Sequence, residues 1–240
     1  LPVFYQGRFK PTRHFKEKRM DVLDAMHSRA STRAFLDKPV PRETVGAILE
    51  AARFAPSGVN HQPWRVAVVT GQTKANLSAA LLAARVNNEP ERADYPYYAK
   101  TWEEPYKARR LACGLALYTA LGIKREDAER KIKSWNLNYS FFGAPVGLLF
   151  FIDRHLEKGS WIDTGMFIQN VMLAALKFNL ATCPQASIAE YPDLARKILN
   201  VPDTRLLVCG MALGFPDKTA AVNRYRTNRE EVKNFTDWYS

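Results

Sequence analysis

The sequence predicts an α+β fold in which helices surround a small mixed, mostly antiparallel sheet. Three observations lead there. Apolar runs of strand length are interleaved with apolar stripes at helical spacing, but not in the strict rhythm of a parallel βαβ sheet. No repeat, linker or low-complexity stretch interrupts residues 20–240, which therefore read as one domain. Of the 240 residues, 47% are apolar and 25% charged, enough for a sizeable core and too apolar for a disordered chain.

Taken in order, Met20, Leu23 and Met26 recur at helical spacing and predict a short helix ending near Ser28. Beyond the polar Arg29–Arg33 segment, Pro41 suits the first position of a second helix. There Val45, Ile48, Leu49 and Ala52 share one face, and Pro56-Ser57-Gly58 stops the helix. Arg65–Thr70 is β-branched, ends at Gly71 and predicts a strand. Thr73–Val86 predicts a helix with Leu77, Leu81 and Ala84 on one side. Asn87–Glu104 has no clear period and is rich in Asn, Pro, Tyr and Glu, which predicts a long loop folded over a site as a lid. Helices follow at Arg109–Leu121, ended by Gly122, and at Arg125–Trp135, which is amphipathic and highly charged. Val146–Ile152 predicts a buried strand. Trp161–Phe178 predicts a helix apolar almost all round, which belongs at the centre of a domain or a dimer. Ala181–Ser187 and Leu206–Leu213 predict two further strands, with a short helix begun by Pro192 between them.

Charge narrows the partners. The chain carries 35 Lys and Arg against 24 Asp and Glu, a net +11, which points to polyanions or phosphorylated small molecules. Residues 1–19 form a basic arm, in which Arg8, Lys10, Arg13, Lys16, Lys18 and Arg19 face Glu17 alone. The arm has neither the apolar stretch nor the small-residue cleavage site of a secretory signal. No apolar run reaches the length of a membrane span, and no nucleic-acid recognition pattern occurs. Three cysteines at unrelated spacings and four scattered histidines make neither a disulfide framework nor a metal site. The expectation is a cytoplasmic protein.

No phosphate loop, dinucleotide-binding glycine pattern or serine-nucleophile elbow is present. Nor does any acid pair stand out. A chain without its own acid, base or nucleophile is what a cofactor enzyme looks like. Four segments carry the remaining signal. Arg29-Ala30-Ser31-Thr32-Arg33 packs two guanidinium groups and two hydroxyls into a compact phosphate cradle. Ala55-Pro56-Ser57-Gly58-Val59-Asn60-His61-Gln62-Pro63-Trp64 offers polar groups at Ser57, Asn60 and Gln62 on a proline-stiffened loop, suited to the edge of a heterocycle. Pro184-Gln185-Ala186-Ser187 ends a strand, where backbone N–H groups can face a ligand. Asn223–Arg229 holds Arg224, Arg226 and Arg229.

In this order and spacing the four resemble the FMN-dependent nitroreductase family over residues 20–240. The S-R-x-S-x-R-x-F run of Ser28–Phe35, the APSGxNxQPW run of Ala55–Trp64, and Gly210–Pro216 carry the likeness. Tyr95–Tyr98, Glu104–Arg110, Leu121–Ile123 and Phe141–Pro145 look like the branch of nitrobenzoate reductases and mycobacterial-type NAD(P)H nitroreductases. The resemblance implies an intertwined homodimer with C-terminal arm exchange and one FMN at each end of the interface. It implies that Arg29 and Ser31 with Arg229, or Arg226 in its place, hold the FMN phosphate, that Ala30 also lies at the cofactor, and that Arg33 reaches the pyrimidine edge. Gln185, Ala186 and Ser187 would line the ring, with a backbone N–H of Ala186 or Ser187 at N5. Pro56, Ser57, Asn60 and Gln62 would come from the other chain. NADPH or NADH would be the donor, through a ping-pong exchange in one slot, and a nitroaromatic or quinone-like compound the acceptor. Arg85, Arg92 or Lys100 could take the donor's 2′-phosphate. The alternatives are an enone or quinone reductase of the same fold, or a flavin-binding redox sensor without turnover. The Val59-Asn60-His61-Gln62 loop disfavours the deiodinase-like members.

Overall fold

A computed structural model describes residues 20–240; the basic arm, residues 1–19, lies outside the described residues. Four strands, β1 (Arg65–Val69), β2 (Val146–Asp153), β3 (Ala181–Gln185) and β4 (Arg205–Gly214), form one sheet in the order β1-β2-β4-β3. All three ladders are antiparallel, and the parallel component is a single bridge between Ser31 and Thr182. β2 explains why the sheet is central. Leu149 and Phe151 join one core cluster, while Val146, Leu148 and Phe150 join the other. A strand buried on both faces loses the polar alternation of a half-exposed one, hence the unbroken apolar run.

Among the described residues seven helices surround the sheet: α1 (Val22–Ser28), α2 (Arg42–Ala52), α3 (Gly71–Val86), α4 (Tyr106–Ala120), α5 (Ala128–Asn136), α6 (Lys158–Leu176) and α7 (Pro192–Leu199). α2 and α6 cover one face through Val45, Ile48, Phe167 and Val171. α3, α7 and a 3-10 turn at Leu137–Gly143 cover the other through Leu77, Leu81, Ala195 and Phe141. α1, α4 and α5 contribute no buried residue. Val22, Leu23 and Met26 on α1 are exposed, as are Ile162 on α6 and Phe235, Trp238 and Tyr239 near the C-terminus.

Several boundaries differ from expectation: α3, α4 and α6 each begin two or three residues early, and three others have a local cause. Pro41 is the N-cap of α2 rather than its first residue. The charged helix starts at Ala128, where the Asp127 side chain accepts from the Arg130 N–H at 3.1 Å. β3 stops at Gln185, because Ala186–Glu190 turn into a 3-10 helix. Gly210 permits that turn: it pairs with Gln185 across the ladder, and a Cβ there would stand 2.6 Å from Ile188. This close packing at the glycine is what seats the turn against the sheet.

Candidate functional site

The cationic half is built by backbone direction. α1 ends at Ser28, and Arg29 leaves the helix with extended ψ. The chain then runs beside β3, held by the Thr32 N–H to the Thr182 carbonyl at 3.0 Å. In an extended run residues two apart share a side, so Arg29, Ser31 and Arg33 face one way. The C-terminal segment closes over them. The Asn223 side chain accepts from the Arg33 N–H at 2.8 Å and donates to the carbonyls of Ala34 and Asp217, each at 2.8 Å. Arg33 Nη1 donates to the Tyr225 hydroxyl at 3.0 Å. Neither Asn223 nor Tyr225 was among the candidate ligands; the arginine-rich run around them was the one sequence signal.

A cavity of about 370 Å³ results, lined by Arg29, Ala30, Ser31, Arg33, Arg226 and Arg229 with Cys113 at its rim. Among the described residues no carboxylate pairs with any of its four arginines. Burial, then the charges of Arg229 and Arg226, draw the Arg29 guanidinium below its ordinary range. Arg226 and Arg229 donate only to nearby carbonyls and the Thr227 hydroxyl. Four uncompensated cations around a hollow favour an anion of more than one charge.

Arg33 also lines an adjoining cavity of about 180 Å³. Gln185, Ala186 and Ser187 line it, together with Tyr98 of the loop, Tyr118 of α4 and Trp135 of α5. The Gln185 Nε2 group donates to the Asn138 carbonyl at 2.6 Å. Gln185 Oε1 and the Ser187 hydroxyl are buried without a partner, and such atoms cost free energy unless a ligand meets them. Cys183 lines the same cavity, yet burial pushes its thiol up to about 11, so it is not a nucleophile here. The loop expected to act as a lid supplies Tyr98 and is pinned by Asp94. Its carboxylate accepts from Arg196 at 2.7 Å, Arg154 at 3.2 Å and the Leu207 N–H at 2.8 Å.

The remaining candidates lie elsewhere. Pro56, Ser57, Asn60 and Gln62 sit on a loop docked at the N-terminal end of α6. The Gly58 N–H donates to Asp163 at 3.2 Å, and His61 Nε2 lies 3.0 Å from the Ser160 hydroxyl. His61 Nδ1 is 2.5 Å from the Gly58 carbonyl, which can only accept. The Ser57 hydroxyl accepts from the Gln62 N–H at 3.1 Å, and the Gln62 side chain donates to the Asn60 carbonyl at 3.0 Å. Asn60, Val59 and Gln62 all have positive φ, at 58°, 44° and 48°. Arg29 and Ser31, by contrast, flank Leu176 at the C-terminal end of α6. From Asp163 to Leu176 is about 20 Å along the helix axis. One chain therefore does not bring the two groups together. A further cavity, about 980 Å³ between α2, β1 and α3, contains none of the candidates. Of the cations considered for a 2′-phosphate, Arg85 pairs with Glu91 at 3.1 Å.

The family model described as the nitroreductase family matches residues 26–215. The chain is 40% identical over 217 residues to a 4-nitrobenzoate reductase of Pseudomonas putida, covering 90% of this chain and 95% of that one. It superposes with a TM-score of 0.87 on a crystal structure of the FMN and NADPH-dependent nitroreductase NfnB from sphigopyxis sp. strain HMH. That pair is 38% identical, with 91% and 98% of the chains covered. The FMN-dependent nitroreductase NfnB of Mycobacterium smegmatis, solved in complex with NADPH, superposes with a TM-score of 0.86 at 33% identity, covering 92% of this chain and all of that one.

Proposed function

The chain belongs to the nitroreductase family, and from that premise we propose that it is an FMN-dependent NAD(P)H oxidoreductase reducing nitroaromatic compounds. One observation carries the reading. A carboxylate-free cavity with four arginines shares Arg33 with a second cavity, whose buried Gln185 Oε1 and Ser187 hydroxyl have no partner. A phosphate beside a polar, flat heterocycle answers both halves at once.

Arg29, Ser31, Arg226 and Arg229 are the residues to hold the FMN phosphate, with Ala30 lining the same wall. Arg33, fixed by Asn223 and Tyr225, places a cation beside the ring cavity, where it favours the anionic reduced form. Gln185, Ala186 and Ser187 form the surface against the ring. Bound FMN supplies the two-electron carrier that no side chain of this protein provides. Tyr98, Tyr118 and Trp135 offer aromatic surface to a flat acceptor. The relatives' names favour nitroaromatics over quinones and enones, and the NADPH complex of the mycobacterial relative favours NADPH. With Arg85 engaged by Glu91, Arg92 and Lys100 are the cations left for its 2′-phosphate.

The working unit is a homodimer. In a two-fold pair with antiparallel α6 helices, the N-terminal end of one helix meets the C-terminal end of the other. That brings Pro56, Ser57, Asn60 and Gln62 of one chain to the arginines of its partner. It also buries Ile162 and the apolar face of α1, and gives the exposed aromatic C-terminal arm a partner to wrap. Residues 20–240 form the flavin-binding domain. Unpaired cysteines suit a reducing cytoplasm, and among the described residues no helix is long and apolar enough to cross a membrane.

The test is direct. The purified protein should be yellow, NADPH should bleach it anaerobically, and nitrobenzoate or nitrobenzene should restore the colour. A colourless protein that cannot be reconstituted with FMN would overturn the reading. Bleached protein that responds to quinones but to no nitroaromatic would move the function to the quinone alternative.

A further inference from the structure

Beside the ring cavity stands an acid that the site described so far does not use. Among the residues lining that cavity, Glu190 is the only carboxylic acid. It closes the 3-10 turn begun by Ala186 and Ser187, and its backbone carbonyl accepts from the Arg92 N–H at 3.0 Å. The fully buried Tyr139 donates its hydroxyl to Glu190 Oε2. Glu190 thus gives the buried Tyr139 hydroxyl its acceptor, and it also stands where nitro reduction requires a proton. The overall reaction is NAD(P)H + ArNO2 + H+ → NAD(P)+ + ArNO + H2O. A hydride brings the electron pair and one hydrogen, and the departing oxygen needs one more proton to leave as water.

Resting on the nitroreductase reading, we propose that Glu190 is the general acid for the nitro substrate and that Tyr139 is its positioning residue. The Glu190 O–H bond breaks and its proton passes to a nitro oxygen. The N–O bond breaks and that oxygen leaves as water, while NAD(P)H supplies the electron pair. The resulting carboxylate keeps the Tyr139 hydrogen bond and, being only half-buried, takes a proton back from solvent. The second step, nitroso to hydroxylamine, consumes one hydride and one proton in the same way.

The surroundings favour the protonated form of this acid. Burial lifts the Glu190 carboxyl above the ordinary carboxylate range. Tyr139 and, from α3, Arg85 pull it down, and Glu91 of the loop pushes it up, with burial prevailing. Tyr98 faces it from the same loop, Tyr191 follows it in the chain, and Arg33 lies across the cavity. Burial, with the Glu190 charge, holds the Tyr139 phenol above its own ordinary range, so it remains a donor.

Because the acid form is required, kcat/KM for nitrobenzene should fall as pH rises through the raised Glu190 value. In FMN-loaded Glu190→Gln that basic limb should vanish, with kcat/KM down about 100-fold, the lower end for general acid catalysis, while bleaching by NADPH persists. Tyr139→Phe removes a bond that favours the carboxylate, so it should move the limb to higher pH. Infrared spectroscopy of the resting protein reads the same group without turnover. A protonated-carboxyl band should titrate with the limb, shift with Tyr139→Phe and be absent from Glu190→Gln. An unchanged profile in Glu190→Gln, or no such band above the ordinary carboxylate range, would overturn the proposal. If Glu190→Gln loses flavin, the Tyr139→Phe profile and the band decide. Failure of NADPH to bleach the wild type would instead break the reading on which this rests.

Discussion

The two ends of α6 hold the two halves of the candidate site, and they are made in opposite ways. At the C-terminal end Arg29, Arg33, Arg226 and Arg229 crowd together without a carboxylate, so that half is incomplete until an anion arrives. At the N-terminal end the Pro56–Gln62 loop is complete in itself. Asp163, His61, Ser160 and Ser57 satisfy one another and the loop backbone. The cationic half is thus specified by what it binds, and the loop by what it docks on. Electrostatics should dominate any change at the first and hydrogen bonding any change at the second.

The largest expected effect lies at the cationic end. Arg29→Ala combined with Arg229→Ala removes two charge-assisted contacts to a phosphate, each contributing about 1.5–3 kcal/mol. FMN affinity should fall by roughly two to four orders of magnitude. The thermal midpoint of the flavin-free protein should hold or rise, because Arg29 and Arg229 repel each other there. Titration of the apo-protein with FMN, followed by fluorescence, checks both. Stoichiometric flavin in the double variant would mean that the phosphate lies elsewhere.

At the other end the expected effect is smaller and is one of stability. Asp163→Ala leaves the Gly58 N–H without its acceptor at 3.2 Å. A loss of about 2 kcal/mol follows, or about 4–8 °C in Tm for a chain of this size. In contrast to the arginine variant, this loss should appear in the apo-protein. Differential scanning of apo and FMN-loaded protein separates the cases. A Tm loss confined to the loaded form would make the loop, too, a ligand-specified element.

How far the sequence reveals each half follows from the same contrast. The Arg29–Arg33 cradle is legible because extended geometry puts alternate residues on one side, which local sequence encodes. Its fixing by Asn223 and Tyr225 is not, since those contacts span about 190 positions and depend on how the C-terminal segment folds back. The helices and strands are legible wherever a period repeats, down to Val45, Ile48 and Ala52 of α2. Ala186 and Ser187 look like the end of a strand because a single 3-10 turn has no period of its own. Glu190 is invisible for a similar reason: its significance comes from Tyr139, 51 positions away. The loop is legible as a motif, but its distance from the arginines is set by the length of α6.

The smallest effect concerns Val59, and it discriminates most finely. A β-branched side chain at φ 44° is strained, by about 1–3 kcal/mol. In a single chain the Val59 side chain is fully exposed, so it gains no packing in return. Asn tolerates this backbone region far better. Val59→Asn should therefore raise the Tm of the apo monomer by about 2–4 °C. If the loop serves a partner's cavity, the same change should weaken dimerisation or FMN binding several-fold, because the side chain's contacts lie off its own chain. Sedimentation and FMN titration of this one variant test that division. A stability gain with unchanged assembly and flavin affinity would show the loop to be self-contained, and the two ends of α6 to serve separate purposes.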